Sequence, residues 1–224
     1  MRPGTPAGTI MLQEGPSDAA CTVFKITFKG KGGHGSRPYA SRSPLTAAAF
    51  AAVEAQSIVP NRLDPLHAGV ISICCFNAGS IDNVIPDEAV IRGTIRSFSV
   101  EDDKLLADSL QSVCEGAAKM HRVECVSEIR HAYLPVVNTK EETQMAIRVS
   151  ERAGMPVYII PQPSMGSEDF SYFLAKAPGV MIKLGNGEDS PLLHNSSFNA
   201  SDEAMRNGIR YFVELAKEFS ATRA

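Results

Sequence analysis

The sequence has no apolar run approaching the ~20 residues that a membrane-spanning helix needs. Its opening stretch, MRPGTPAGTI, has no apolar core of the signal-peptide kind. Net charge is also scarce. A formal value of −3, with no local basic cluster, leaves no electrostatic footprint for a nucleic acid. Repeats and low-complexity tracts are missing. The five cysteines are odd in number and form no CxxC pair, which argues against a disulfide framework and a structural zinc site. Cys74 and Cys75 sit together in an apolar strand-like run and read as small buried hydrophobes, in keeping with a reducing, cytoplasmic setting. Neither a membrane nor a nucleic acid is expected as a partner.

What is present is an ordinary globular composition, 44% hydrophobic and 21% charged over 224 residues, enough for one large or two modest domains. In CTVFKITFK, Cys21 to Lys29, Phe24, Ile26 and Phe28 alternate with Lys25, Thr27 and Lys29, the period of a half-buried strand. After the glycine-rich GKGGHGSRP, Ser43 and Pro44 open a helix that the alanine-rich run carries through Gln56. Strands follow at Gly69–Phe76 and Glu88–Phe98, with Ala89, Ile91, Gly93 and Ile95 sharing one face of the latter. Ser99 caps a second helix whose first turn holds Glu101, Asp102 and Asp103, where the helix dipole favours negative charge. A fourth strand spans roughly Val123 to Ala132. The order is β-α-β-β-α-β, the ferredoxin-like split arrangement, over residues 21–135.

Beyond residue 135 the pattern changes. Thr139 with Glu142 predicts a capping box, and Gly154 is placed to end that helix. Short strands are expected near 156–160 and 180–184. A last helix is expected from Ser201, with Met205, Ile209, Phe212, Val213 and Ala216 as its buried face. Two strands cannot complete a doubly wound sheet, so this α/β part reads as incomplete.

Several residues could carry chemistry. His34, flanked by glycines, is exposed and able to approach a ligand closely, or is a surface turn histidine. Asn83 either serves its turn or faces a ligand. Arg96 lies on the polar face of its strand, solvated or gripping a carboxylate through its guanidinium fork. Glu168 and Asp169 stand in a glycine- and serine-containing loop and could bind metal or substrate, or cap the next segment. His194, on a loop before the last helix, is a possible zinc ligand. His67, His121 and His131 have no partners at ligand spacing.

Taken in order, FKGKGGHGSRP, DPL, NVIPDEAVIRGTIRSF, VVN, MGSEDFSYFL and LLHNSSF resemble the hippurate hydrolases, aminoacylases and auxin-conjugate amidohydrolases, dinuclear-zinc enzymes of the carboxypeptidase G superfamily. The resemblance runs from about Gly8 to the C-terminus. It implies an α/β fold with an α+β lid. A ferredoxin-like lid or dimerisation domain (21–135) would be inserted into a zinc-peptidase catalytic domain, of which 1–20 and 136–224 are parts. By position, His34 resembles the lid histidine that stabilises the oxyanion, often in the partner subunit's site. Asn83 and Arg96 resemble lid residues that hold the substrate's carboxylate or amide. The Gly166–Asp169 segment resembles the substrate-contacting loop, with Gly166 and Ser167 as substrate-binding residues and Glu168 not expected as a ligand, and His194 resembles a metal-binding histidine. Tyr39 departs from the pattern, since relatives often carry a second histidine there.

The resemblance also implies two divalent metal ions, zinc first, with manganese or cobalt as alternatives. The family's other ligands and the glutamate base precede the PxGTI segment and are not in this sequence. The chain is therefore expected to correspond to the C-terminal portion of such an enzyme. Alone it should be inactive and bind metal weakly; its partners would be a second copy through the lid and a small N-acyl amino acid or peptide substrate. The alternative is a non-catalytic dimerisation or ligand-binding module, and a standalone ferredoxin-like regulatory domain is a third reading, opposed by SEDF and LLHN.

Overall fold

A computed structural model describes residues 1–221 of the chain. In chain order the strands are β1 (Ile10–Leu12), β2 (Gly15–Asp18), β3 (Cys21–Lys29), β4 (Gly33–His34), β5 (Gly69–Ala78), β6 (Val84–Ile85), β7 (Glu88–Ser97), β8 (Glu124–Tyr133), β9 (Val136–Asn138), β10 (Val157–Ile159) and β11 (Lys183–Leu184). The helices are α1 (Pro44–Glu54), α2 (Ile58–Arg62), α3 (Val100–His121), α4 (Lys140–Arg152), α5 (Ser171–Leu174) and α6 (Asp202–Ala221). The chain divides into two compact units. The first comprises Met1–Ser17, Val136–Ser164 and Asp169 onward; the second comprises Asp18–Pro135 and Met165–Glu168.

The second unit is a four-stranded antiparallel sheet in the order β5-β7-β3-β8, with α1 and α3 supplying its helical layer. Phe24, Ile26 and Phe28, on one face of β3, are buried among Ala47, Ala51, Ile91, Leu106 and Leu110. Burying each large side chain stabilises the fold by about 1.5–3 kcal/mol. The exposed Lys25 on the other face pairs with Glu128 of β8 at 2.7 Å. Ser43 and Ser99 cap α1 and α3, accepting from the backbone N–H of Thr46 and Asp102. β3 aligns Phe24 opposite Gly93 of β7, and the phenyl ring lies where a Cβ of residue 93 would be.

The first unit holds a three-stranded sheet, β10-β1-β11, with β10 parallel and β11 antiparallel to the central strand. The central strand Ile10–Leu12 was not anticipated: three residues are too short to show a period. Its side chains are buried, and Ile10 and Leu12 pack with Ala146, Val149, Met155 and Tyr211. Burial pushes the Tyr211 hydroxyl up to about 12.

Several expectations need correcting. Cys74 is exposed and Cys75 only half-buried, because β5 is the edge of its sheet and its register slips between Ile73 and Cys75. The buried thiols are Cys21 and Cys114, and burial pushes Cys114 up to about 12. α1 stops at Glu54 and tightens into a single 3-10 turn before α2. Thr139 meets Glu142 but caps no backbone N–H of its helix, because its hydroxyl is engaged by Gly179 and Glu142. His131 and His67 belong to no metal-binding group among the described residues, but each has a hydrogen-bonding partner: His131 Nδ1 meets Asp103, whose carboxylate also accepts from Thr22 at 2.8 Å, and His67 Nδ1 meets Asp102. The buried face of α6 is that of Ala204 and Tyr211, while Met205, Ile209, Phe212 and Val213 are 49%, 63%, 62% and 48% exposed. This helix is apolar on two adjacent faces, and only one of them meets the core.

A methyl group at residue 93 would fall 1.9 Å from the Ser72 carbonyl oxygen and 2.5 Å from Phe24 Cζ. Gly93→Ala should therefore destabilise the protein by ~3 kcal/mol. Gly116 lies inside α3 with nothing within 4 Å of where a Cβ would sit, and should gain about 0.5–1 kcal/mol as alanine. Thermal unfolding monitored by circular dichroism checks both, and equal shifts of the same sign would contradict the packing described.

Candidate active site

The register of β3 and β7 places Lys29 opposite Glu88. The segments beyond those ends then continue side by side, and β4 pairs with β6 so that His34 lies opposite Val84. The Gly35 N–H donates to the Asn83 carbonyl at 2.7 Å, and the Gly32 N–H donates to Asp87 Oδ1 at 2.7 Å. Glycine is required at 32, since a Cβ would lie 2.5 Å from the Ile85 carbonyl oxygen. His34 and Asn83, 49 positions apart in sequence, are thus brought to one exposed ribbon.

The Ser36 backbone N–H donates to His34 Nδ1 at 3.1 Å, and Ser36 Oγ lies 2.8 Å from the same nitrogen. A backbone amide can only donate, so Nδ1 is an acceptor and the neutral ring carries its proton on Nε2. The result is an exposed imidazole offering an N–H. Neither Ser36 nor Asp87 was singled out from sequence; a serine two residues after the histidine was the available signal.

At the other end of β7, Arg96 is half-buried and donates to Ser167 Oγ at 2.8 Å. The loop carrying Ser167 is held by the Ala19 N–H, which donates to the Gly166 carbonyl at 2.7 Å, and the Ala20 N–H donates to the Ser97 carbonyl at 2.8 Å. Arg96, Gly166 and Ser167 therefore form a second group within the same unit. Glu168 and Asp169, next in the chain, are exposed. From Glu88 to Arg96 the strand advances eight residues, or ~27 Å at ~3.3–3.4 Å each. The histidine group and the arginine group stand at opposite ends of one strand.

His194 belongs to the first unit, exposed on a turn with φ 66° in the left-handed region. Its loop is closed by Asn186, which was missed in the sequence. That side chain is 4% exposed; it donates to Ser190 Oγ at 2.6 Å and to the Asn199 carbonyl at 2.9 Å, and accepts from the Ser201 N–H at 2.9 Å. Among the described residues, no three His, Cys, Asp or Glu side chains come together as a set that could hold a metal ion. His194 is therefore in no group of three such donors among them, and this donor set does not fit a dinuclear metal centre. None of the described helices is long and apolar enough to cross a membrane.

Residues 2–218 match the model of peptidase family M20/M25/M40. The chain belongs to that family. N-acetyldiaminopimelate deacetylase of Lactobacillus acidophilus is 35% identical over 92% of this chain and 54% of its own length. The Enterococcus faecalis protein of the same name is 34% identical over 93% and 55%. These relatives are thus deacetylases, rather than the hippurate hydrolases or aminoacylases that the motifs suggested. Among solved structures, a dinuclear metal binding peptidase of the family from Bacillus subtilis superposes with a TM-score of 0.78 at 28% identity, covering 96% of this chain and 54% of that one. A structure from methicillin-resistant Staphylococcus aureus gives 0.84 at 26% identity, with 95% and 55% covered. This M20/M25/M40 chain spans about half the length of the curated relatives it matches.

Asn186→Ala removes three hydrogen bonds at a buried position and should cost ~1–3 kcal/mol locally. Amide hydrogen exchange across residues 187–200 should accelerate at least ~10-fold, while β3 and β7 stay protected. Unchanged exchange in that loop would show that Asn186 does not hold it.

Proposed function

We propose that this chain supplies the substrate-holding and carbonyl-polarising part of an amide hydrolase that removes an acyl group, acetyl first, from the nitrogen of an amino acid. The observation that carries this reading is the His34 geometry: an exposed Nε2–H whose ring is oriented by Ser36. Such a donor suits an amide oxygen as it gains negative charge in the tetrahedral transition state. The Asn83 amide, on the same ribbon, would bind the substrate's amide or carboxylate. Arg96 with Ser167 would grip the free carboxylate, a task for which the guanidinium fork is built. The names of the relatives support an N-acetyl amino acid as substrate.

These residues orient and polarise; they supply neither nucleophile nor base. The metal centre's remaining donors and the general base would have to come from outside these 224 residues, with His194 contributing one ligand. The alternative, a non-catalytic binding module, draws support from the same lack of donors among the described residues.

The two groups also bear on the oligomer. An N-acetyl amino acid is on the order of 10 Å long, far short of the ~27 Å between the ends of β7. His34 and Arg96 of one protomer would therefore serve different sites. A twofold dimer that sets His34 of the partner subunit against Arg96 resolves this, and the exposed edge strand β5 is a natural place for pairing.

In an active form of the protein, His34→Ala should lower kcat ~10²–10³-fold with metal content unchanged. Arg96→Ala should mainly raise KM for N-acetyl amino acids and leave their carboxyl amides nearly unaffected. Steady-state kinetics on both substrate types decide this, and metal loss in His34→Ala or equal effects on both substrates would refute the roles assigned.

Self-association should be visible in the second unit. Light scattering is expected to give a dimer mass for the chain, and introducing a charge at the β5 edge, as in Ser72→Lys, should shift it toward monomer. A strictly monomeric chain at high concentration would remove the shared site.

A further inference from the structure

Asp103, in the first turn of α3, holds a carboxylate inside the second unit at only 4% exposure. Its Oδ2 accepts from Thr22 Oγ1 at 2.8 Å and meets His131 Nδ1, which also lies 2.8 Å from that hydroxyl. Its Oδ1 is buried and meets no donor among the described residues. A carboxylate oxygen can only accept, so Nδ1 carries the proton and the neutral ring keeps a lone pair on Nε2. This is the opposite tautomer to that of His34. Thr22 is fully buried with its hydroxyl committed to Asp103, whereas the His131 side chain is 54% exposed. The nucleophile of the group is therefore the imidazole, and Asp103 and Thr22 position it. His131 and Asp103 also line a cavity of about 220 Å³ whose apolar walls include Ala20, Val100, Leu134 and Pro135. Lys104 and Asp108 border it too, but they pair with each other and add no net charge. An apolar cavity of about 150 Å³ holds benzene, so this one has room for a short acyl chain or a single ring.

We propose that His131 is the catalytic residue of a separate esterase site, which hydrolyses uncharged aryl esters of short apolar acids with the acyl chain seated in this cavity. Nε2 attacks the ester carbonyl carbon. A C–N bond forms, the C–O bond breaks, and the phenolate departs with the bonding pair. Positive charge then rests on the acyl-imidazolium, and the Asp103 carboxylate stabilises it through Nδ1. With Oδ1 unpaired, little else draws on that negative charge. Water adds to the acyl carbon and the C–N bond breaks. The acid leaves as its carboxylate, the released protons pass to phenolate and solvent, and the imidazole is regenerated. The balance is ester and water to acid and phenol, with no metal or oxidant required. An amide does not react this way, because an amine anion is a far poorer leaving group than a phenolate. His67 supplies a contrast: its Nδ1 meets Asp102 and its side chain is 52% exposed, but it does not line this cavity. The site uses none of His34, Asn83, Arg96 or His194 and is independent of the amide hydrolysis proposed above.

The test is release of p-nitrophenol from p-nitrophenyl acetate and butyrate by the 224-residue chain, with a chelator present and the buffer rate subtracted. Turnover of both esters is expected. His131→Gln should lower it ~100-fold, the low end for a positioned catalytic side chain, while His67→Gln leaves it unchanged. Asp103→Asn should slow the reaction and shift the His131 proton toward Nε2, a change of tautomer that long-range ¹H–¹⁵N spectra of the ring report and that loosened packing alone does not produce. Val100→Trp alters an exposed position of the cavity wall and leaves the Asp103–His131 pair in place. It should lower the butyrate-to-acetate rate ratio at least ~10-fold, as expected when a pocket loses room for added methylenes. Absence of turnover overturns the proposal. So does turnover that survives His131→Gln, that falls equally in His67→Gln, or whose butyrate-to-acetate ratio ignores Val100→Trp. Ester release that meets these tests upholds the site even if N-acetyl amino acids prove not to be substrates of the active protein.

Discussion

The antiparallel register between β3 and β7 is the constraint from which the rest of the second unit follows. It is set by side-chain faces: Phe24, Ile26 and Phe28 must point toward the helices together with Ala89, Ile91 and Ile95. A slip of one residue would turn one of the two sets to water. With that register fixed, the chain leaving Lys29 runs beside the chain arriving at Glu88, and the short β4–β6 pairing brings His34 opposite Val84, next to Asn83. At the opposite end the same pairing brings Ala20 to Ser97 and sets Arg96 where the Gly166–Ser167 loop is tied down. Hydrophobic burial in the middle of the sheet thus positions polar chemistry at both of its ends.

Much of this was legible in the sequence, and the reasons are physical. β3 and β7 were readable because one face is packed and the other carries Lys25 and Arg92. The caps at Ser43 and Ser99 were readable because a side-chain hydroxyl before a helix has one obvious use. β1 was not readable, since three fully buried residues have no period, and neither was Asn186, whose role depends on partners 4, 13 and 15 residues away. The candidate site was legible as residues but not as an arrangement. Only the structure separates His34 and Asn83 from Arg96 and Ser167 by the length of a strand.

The two misread surfaces share one cause. Cys74 and the outer face of α6 look buried in the sequence because their neighbours along the chain are apolar. Apolar character records what a face packs against in the assembled state, which includes partners beyond a single chain. Where such a face is open, the mismatch between pattern and burial is informative. On α6 the open face belongs to the unit whose main sheet has three strands.

The Asn186 clasp gives the His194 loop a modular character. Its hydrogen bonds fall on the loop's two ends, at residues 186–190 and 199–201, and hold the base closed whatever lies between. Residues 191–198, the tip that carries His194, therefore stand on a base whose hydrogen bonds do not involve them. A substitution within that tip can change what surrounds His194 while the base of the loop stays closed.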